Sequence, residues 1–420
     1  MSGDSGGAYT LQALITDSVE TLHVNNFETD AATTAVDYTG SAGNDTFIMM
    51  TTADKIAGGA GTSDTLDVNY AAVLGGISVD LSATGEQIST LDGGAISGSV
   101  TGFENVDLSG YTGFGASVTA IKTGSTITGT GSIDRITGGA GADTIKGGAG
   151  ADVITGGAGN DTFVYAGTAE LVAANAAIDA VDGGSGTADA IRLDGASTIA
   201  AADLLDRIDN VEQITASATA GALSITATAV AGTFTGTSFD TIDLSGDTNA
   251  VGANVVSITA ITGITTIKGG AGVETITLGA AAVAATVTPG GGADVLSLGN
   301  ALGATVVIGT ADVGATYATA DKITGFTTNV DKLSLGTAGT AANFATANGA
   351  ATEAAALIAA NTALDGTVQY YLATAIVADL GGGAGLESLL FIDQDLDGTA
   401  DDVIALVGIA GVLDENDIIA

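Results

Sequence analysis

Between residues 129 and 165 large apolar residues recur every nine positions, at Ile136, Ile145, Ile154 and Phe163, each two places after an Asp. The pattern predicts a short strand carrying one inward apolar side chain, followed by a turn in which glycine takes dihedrals that other residues resist. Two nine-residue units then make one full coil, and successive turns fall on opposite edges. Outside this segment Thr, Val, Ile and Ala dominate, with turn residues every few positions. A longer repeat adds β-rich strands at SVETLHVNNF (18–27), FENVDLSG (103–110), NVEQITAS (210–217) and FDTIDLSG (239–246). The expected fold class is all-β, a parallel β-roll or β-helix solenoid. The exception is TEAAALIAANTAL, 352–364, whose Ala and Leu content predicts a short helical segment near the C-terminus.

The polar positions of the nine-residue phrase are as regular as the apolar ones. Units 138–146, 147–155 and 156–164 each fit G-G-x-G-x-D-x-U-x, where U is a large apolar residue. They supply Gly138, Gly139, Gly141 and Asp143, then Gly147, Gly148, Gly150 and Asp152, then Gly156, Gly157, Gly159 and Asp161. One unit upstream, GTGSIDRIT keeps the first glycine and Asp134 but loses two glycines. Coiling stacks Asp134 with Asp152 and Asp143 with Asp161. Stacked like charges repel unless a cation lies between them, and carboxylates interleaved with backbone carbonyls form a cage of hard oxygen ligands suited to Ca²⁺. An isolated Gly-Asp turn would read equally well as a loop with a solvated carboxylate; four units in register weigh against that reading.

Looser copies flank the array. GSAGNDTFI places Asp45 and the next nine residues place Asp54, giving first coils over 40–66. GGAGTSDTL carries one extra residue before Asp64, GGSGTADAI one before Asp189, and GGAGVETIT substitutes Glu274 for Asp. Either a structural turn or a ligand fits these three. GGGADVLS supplies Asp294, and FIDQDLDGTADD places Asp393, Asp395 and Asp397 at alternate positions before Gly398, as an EF-hand loop begins. Position twelve of that loop is Ile404 where a bidentate Glu belongs, so a site there would borrow Asp401 or Asp402.

Composition sharpens the picture. The 420 residues include 48 acidic and 9 basic ones, a formal charge of -39, with 64 Gly, one Pro and 4% aromatics. With 46% hydrophobic residues and a positive mean hydropathy the chain is built to fold, yet its self-repulsion calls for divalent cations and makes nucleic acid an improbable partner. No apolar run reaches the roughly 20 residues of a membrane span, and the opening MSGDSGGAYT lacks the charged-then-apolar pattern of a secretory signal. Without cysteine there are no disulfides or thiolate metal sites. His23 is the sole histidine, most simply a strand residue, so a two-His zinc motif is absent; so acidic a chain offers paired carboxylates for glycoside chemistry, but no Trp platform accompanies them and the nine basic residues are scattered. A non-enzymatic role is expected.

The 129–164 array resembles the RTX nonapeptide repeats of proteins exported by bacterial type I secretion. That resemblance implies a parallel β-roll that folds on meeting extracellular calcium, with Ca²⁺ held at the matching Asp and Gly positions. DKITGFTTNVDKLSLG, 321–336, resembles the D-x-I-x-x-F…D-x-L-x-L segment that caps RTX regions in serralysin-type and S-layer proteins, and the terminal DENDIIA is similar to uncleaved type I export signals. The expected organisation is a β-rich repeat region (1–128), the regular roll (129–165), a second β-rich region with degenerate coils (166–320) and a capping and secretion region (321–420). The resemblance implies a secreted calcium-binding structural protein that assembles with itself at the bacterial surface as a lattice or filament. Its partners would be further copies of itself, a type I exporter and cell-surface polysaccharide. A monomeric adhesin or matrix protein, or the secretion module of a larger enzyme, are the alternatives.

Overall fold

The computed structural model describes residues 20–22, 37–49, 51–174, 176–203, 205–227, 239–250, 253–259, 263–279, 285–299, 303–309, 316–350, 352–376, 387–409 and 413–420. His23 and most of the 18–27 repeat lie outside them. The chain forms two compact units, one of residues 1–165, 169–191 and 205–212, the other of 166–168, 192–204 and 213–420.

In the first unit the nine-residue phrases run as short strands that alternate between two parallel sheets. Thr126–Thr128, Thr144–Lys146 and Thr162–Tyr165 pair in one; Arg135–Thr137, Val153–Ala158 and Ala180–Ser185 pair in the other. Two phrases therefore make one coil. Parallel pairing in register stacks like on like, and the inward column Phe47, Leu66, Val106, Ile127, Ile145, Phe163 faces a second column of Val79, Val118, Ile136, Ile154 and Val181. All of these side chains are buried. One apolar residue per strand suffices because two columns meet across a narrow interior, where aliphatic side chains contribute about 1.5–3 kcal/mol each on burial. The 103–110 repeat enters the first sheet as Asn105–Asp107. A small third sheet, Asp37–Thr39, Lys55–Ala57 and Ser99–Thr101, completes this unit's early coils.

The second unit repeats the plan with longer coils. Ile214, Ile242, Ile267, Val287, Val306, Leu333 and Ile418 stack in one parallel sheet; Ile199, Ile225, Val256, Ile276, Leu296, Ile323 and Leu406 stack in another. The 210–217 and 239–246 repeats supply the strands Gln213–Ala216 and Thr241–Asp243. Coiling then stops: Asp402–Val407 pairs antiparallel with Glu387–Ile392, which pairs antiparallel with Tyr370–Ile376. The helix Glu353–Ala363 lies on this sheet, burying Ala356 and Ala360 against a cluster that includes Tyr371, Leu389, Phe391 and Val403. Thr352 caps it, its side chain accepting the Ala355 N–H. A single turn, Thr168–Leu171, is the other α-helix among the described residues.

Candidate metal centre

Each regular phrase turns immediately before its strand, and the Asp at the end of the turn points into the stack rather than to solvent. Asp134, Asp143, Asp152 and Asp161 are at most 1% exposed. A buried carboxylate needs donors or a cation, and the backbone supplies half of what is required. Asp152 Oδ1 accepts the Asp134 N–H at 2.8 Å and Asp161 Oδ1 accepts the Asp143 N–H at 2.8 Å, each across 18 residues. These are the stacked pairs expected from the repeat. The ladders continue at both ends. On one edge Asp134 Oδ1 accepts the Ala116 N–H, and Asp179 Oδ1 accepts the Asp152 N–H at 2.8 Å. On the other, Asp143 Oδ1 accepts the Ser125 N–H and Asp189 Oδ1 accepts the Asp161 N–H, while the Asp189 N–H itself goes to Glu212.

The second oxygen of each carboxylate separates anchored acids from orphaned ones. Asp134 Oδ2 accepts the Thr130 N–H, Asp143 Oδ2 the Gly139 N–H, and Asp179 Oδ2 the Tyr165 hydroxyl at 3.0 Å. Oδ2 of Asp64, Asp152, Asp161 and Asp189 has no hydrogen-bond donor and no access to solvent. The three ion pairs among the described residues, Arg192–Asp194, Lys268–Asp243 and Lys332–Asp417, lie elsewhere. Electrostatics follow. Burial, reinforced by Asp179 and Asp134, pushes the Asp152 carboxyl up to about 7, and burial pushes Asp161 and Asp64 to about 6. Burial likewise raises Asp134, Asp143, Asp179 and Asp189.

The glycines make room beside these oxygens. A Cβ on Gly138 would collide with the Gly156 carbonyl and Asp143 Oδ2, on Gly147 with Asp152 Oδ2, and on Gly156 with Asp161 Oδ2 and the Gly183 carbonyl. Gly148 and Gly157, at φ +101 and +117, hold the left-handed backbone that turns the coil. Gly139, Gly141, Gly150 and Gly159 likewise leave no space for a Cβ against the neighbouring coil's backbone. The result is a seam of carboxylate and carbonyl oxygens, with no His or Cys side chain among its residues. Hard oxygen sets of this kind suit Ca²⁺ among the common divalent ions.

Residues 128–163 match the RTX calcium-binding nonapeptide repeat (4 copies). The part of the seam within 128–163 is thus made of segments that match RTX calcium-binding repeats, and the orphaned oxygens of Asp152 and Asp161 there fit a divalent cation. No curated protein matches the chain. Among the described residues no helix is long and apolar enough to cross a membrane.

The degenerate copies resolve differently from one another. Asp64 and Asp189 join the ladders, at spacings of 19 and 28 residues, Asp64 Oδ1 accepting the Asp45 N–H at 2.8 Å. The extra residue is absorbed between the last glycine and the acid and leaves the acid in register. Asp45 is closed within its own turn by the Ser41 N–H and hydroxyl, and Asp54 by the Thr51 N–H and hydroxyl. Near the C-terminus, oxygens of Asp393, Asp395 and Asp401 lie within 4.8 Å of one another. Asp397 is not in that group; its carboxylate accepts the N–H and hydroxyl of Thr399. Asp393 is buried, with both oxygens accepting backbone N–H groups, from Asp397 and Gly398. Asp179, Glu104 and Glu212, absent from the repeat-based expectation, extend the ladders. Their signal is an acid two places before an apolar residue, in DAV, ENV and EQI, without the glycines.

Proposed function

We propose that this is a secreted calcium-binding structural protein of the bacterial surface, in which calcium completes the fold of the first unit's coils. The observation that carries the reading is the set of fully buried carboxylate oxygens on Asp64, Asp152, Asp161 and Asp189 that lack any donor. A charge in that setting destabilises the fold by several kcal/mol unless neutralised, and a divalent cation bound by the folded form alone returns that free energy to folding. In calcium-poor cytoplasm the chain would stay loosely ordered and open to export; outside the cell it would lock. Export by a type I system fits the RTX repeats.

The finer part of the proposal is assembly with further copies. It is supported by the outward-facing apolar side chains of the first unit, Val73, Leu74, Phe114, Ile133 and Val153, and by a charge of -39 that calcium can bridge between neighbours. A structural rather than catalytic role is supported by the commitment of the buried acids to the backbone of the next coil. Calcium titration of the purified chain, followed by far-UV circular dichroism and then by negative-stain electron microscopy, tests both parts. Calcium-dependent β signal with sheets or filaments supports the whole reading. Dispersed folded monomers would retain the calcium role and overturn assembly, and a β signal indifferent to calcium and chelator would overturn the calcium role.

A further inference from the structure

The second unit contains a separate acidic ladder outside the segment that matches the RTX repeat. Its coils are longer, and its first acid is a glutamate. The Glu274 N–H donates to Asp294 Oδ1 at 2.7 Å across 20 residues, and the Asp294 N–H to Asp321 Oδ1 at 2.9 Å across 27. All three acids are 0% exposed. At the upstream end Asn254 takes the place of an acid: its Oδ1 accepts the Leu223 N–H, and its Nδ2 donates to Glu274 Oε1 at 3.0 Å and to Asp247 Oδ2 at 3.2 Å. The amide thus closes that end with donors, while Glu274 Oε2 and Asp294 Oδ2 remain buried without one.

The backbone around the two oxygens has the same oxygen-lined character as the first unit's seam. A Cβ on Gly269 would collide with the Pro289 carbonyl and the Glu274 side chain, and one on Gly290 with the Gly270 carbonyl. Gly290 and Gly292 hold φ of +100 and +126, and a Cβ on Gly292 would meet the Gly272 carbonyl. The opposite edge of the same unit shows what a ladder closed by protein looks like. There Asp331 takes the Ala304 and Thr327 N–H groups, and Asp417 takes the Asn329 N–H and pairs with Lys332. At Glu274 and Asp294 the two carboxyl groups instead face each other within hydrogen-bonding reach, with Glu274 Oε2 and Asp294 Oδ2 buried and given no partner from another residue's side chain.

We infer that Glu274 and Asp294, with the glycine-turn carbonyls beside them, form a second centre for a hard divalent cation such as Ca²⁺, which orders the second unit independently of the RTX repeats. The longer glutamate side chain is compatible with this role because Asn254 fixes one of its oxygens and presents the other. At this centre the coil rises through 20 residues rather than 18, and Glu274 stands where the regular phrase has Asp.

The test is hydrogen exchange of the full chain, wild type against Glu274→Gln, Glu274→Asp, Asp294→Asn and Asp152→Asn, each titrated with CaCl2 and with EGTA. Calcium should slow exchange in 273–278 and 295–298. Glu274→Gln and Asp294→Asn should raise the calcium midpoint of that protection at least tenfold while leaving 135–137 and 153–158 unchanged. Glu274→Asp, which keeps the charge, should retain most of the response, and Asp152→Asn should show the opposite pattern. Protection of 370–376 and 387–392 reports whether a variant has folded. If Asp294→Asn fails to fold, the Gln and Asp variants at 274 decide. The inference is overturned if calcium leaves exchange in 273–298 unchanged in wild type, as a proton shared by the two carboxyls would produce, or if the Gln and Asp variants respond alike. Loss of the response in 135–158 alone would instead refute the reading of the RTX seam.

Discussion

Replacing Asp152 with Asn separates the two roles of a seam carboxylate, because it should move stability in opposite directions with and without calcium. Asn keeps an Oδ1 to accept the Asp134 N–H, now 2.8 Å away, but replaces the orphaned Oδ2 with a neutral donor beside backbone carbonyls. The buried acid titrates near 7 instead of 3.8, chiefly through burial. At pH 8 it is charged in both folded and unfolded chains, and the folded chain bears the cost. At ~1.4 kcal/mol per pH unit the gap sets a ceiling of ~4 kcal/mol. The effective dielectric of protein interiors, well above that of a dry medium, reduces this to ~2 kcal/mol. The calcium-free variant should therefore be more stable than wild type by ~2 kcal/mol at pH 8. Its advantage should shrink toward pH 5, where the wild-type acid is protonated in the fold. In saturating calcium the sign reverses, since an anionic ligand has been lost, and the calcium midpoint should rise at least tenfold, ~1.4 kcal/mol. Urea unfolding followed by circular dichroism, in EGTA and in CaCl2, measures both numbers. Equal destabilisation in the two buffers would refute the argument and leave Asp152 as a hydrogen-bond acceptor alone.

Further outcomes are expected from the same geometry. Acidification should weaken calcium binding: Asp64, Asp152 and Asp161, raised to about 6, 7 and 6, hold protons that calcium must displace, so calorimetry in buffers of different ionisation heat should detect proton release between pH 7.5 and 5.5. The same raised values make the calcium-free fold more stable at low pH, with that stability lost as pH rises through 6 to 7. Gly157→Ala places a Cβ at φ +117 against the Gly139 carbonyl and should destabilise the calcium-bound fold by about 1–3 kcal/mol in urea unfolding. Ile145→Ala removes the middle of the column between Ile127 and Phe163 and should cost about 2–5 kcal/mol in the same assay.

The regular coil was readable because three constraints coincide at each unit: a glycine the backbone requires, an acid the turn encloses and an aliphatic residue the interior demands. Ile136, Ile145, Ile154 and Phe163 all face inward for that reason. The helix at 353–363 was equally plain, since Ala and Leu there meet no glycine and carry little β-branching. Where one constraint drops out, legibility fails. Asp179, Glu104 and Glu212 extend the ladders from turns lacking the glycine signature, so only the acid two places before an apolar residue marks them, a pattern too short to stand out by itself. Glu387–Ile392 is buried along its whole length and shows no alternation, which hid the antiparallel sheet at the end of the second unit. At the C-terminal acidic loop the sequence offered Asp401 or Asp402 to complete a site with Asp393, Asp395 and Asp397; the fold of the loop brings Asp401 to Asp393 and Asp395, while Asp397 accepts from Thr399, a choice that spacing alone does not make.

The alternation of phrases between two sheets also governs how such a chain can change length. Ile145 pairs with Ile127 and Phe163, never with Ile136 or Ile154, although those are its nearest counterparts along the chain. Loss of a single nine-residue phrase would therefore send every later strand of the stack to the opposite sheet and break both acidic ladders at once. Loss or gain of two phrases would leave every partner's identity in place. Length in this solenoid has a parity, and tandem duplication should be tolerated in steps of eighteen residues and resisted in steps of nine.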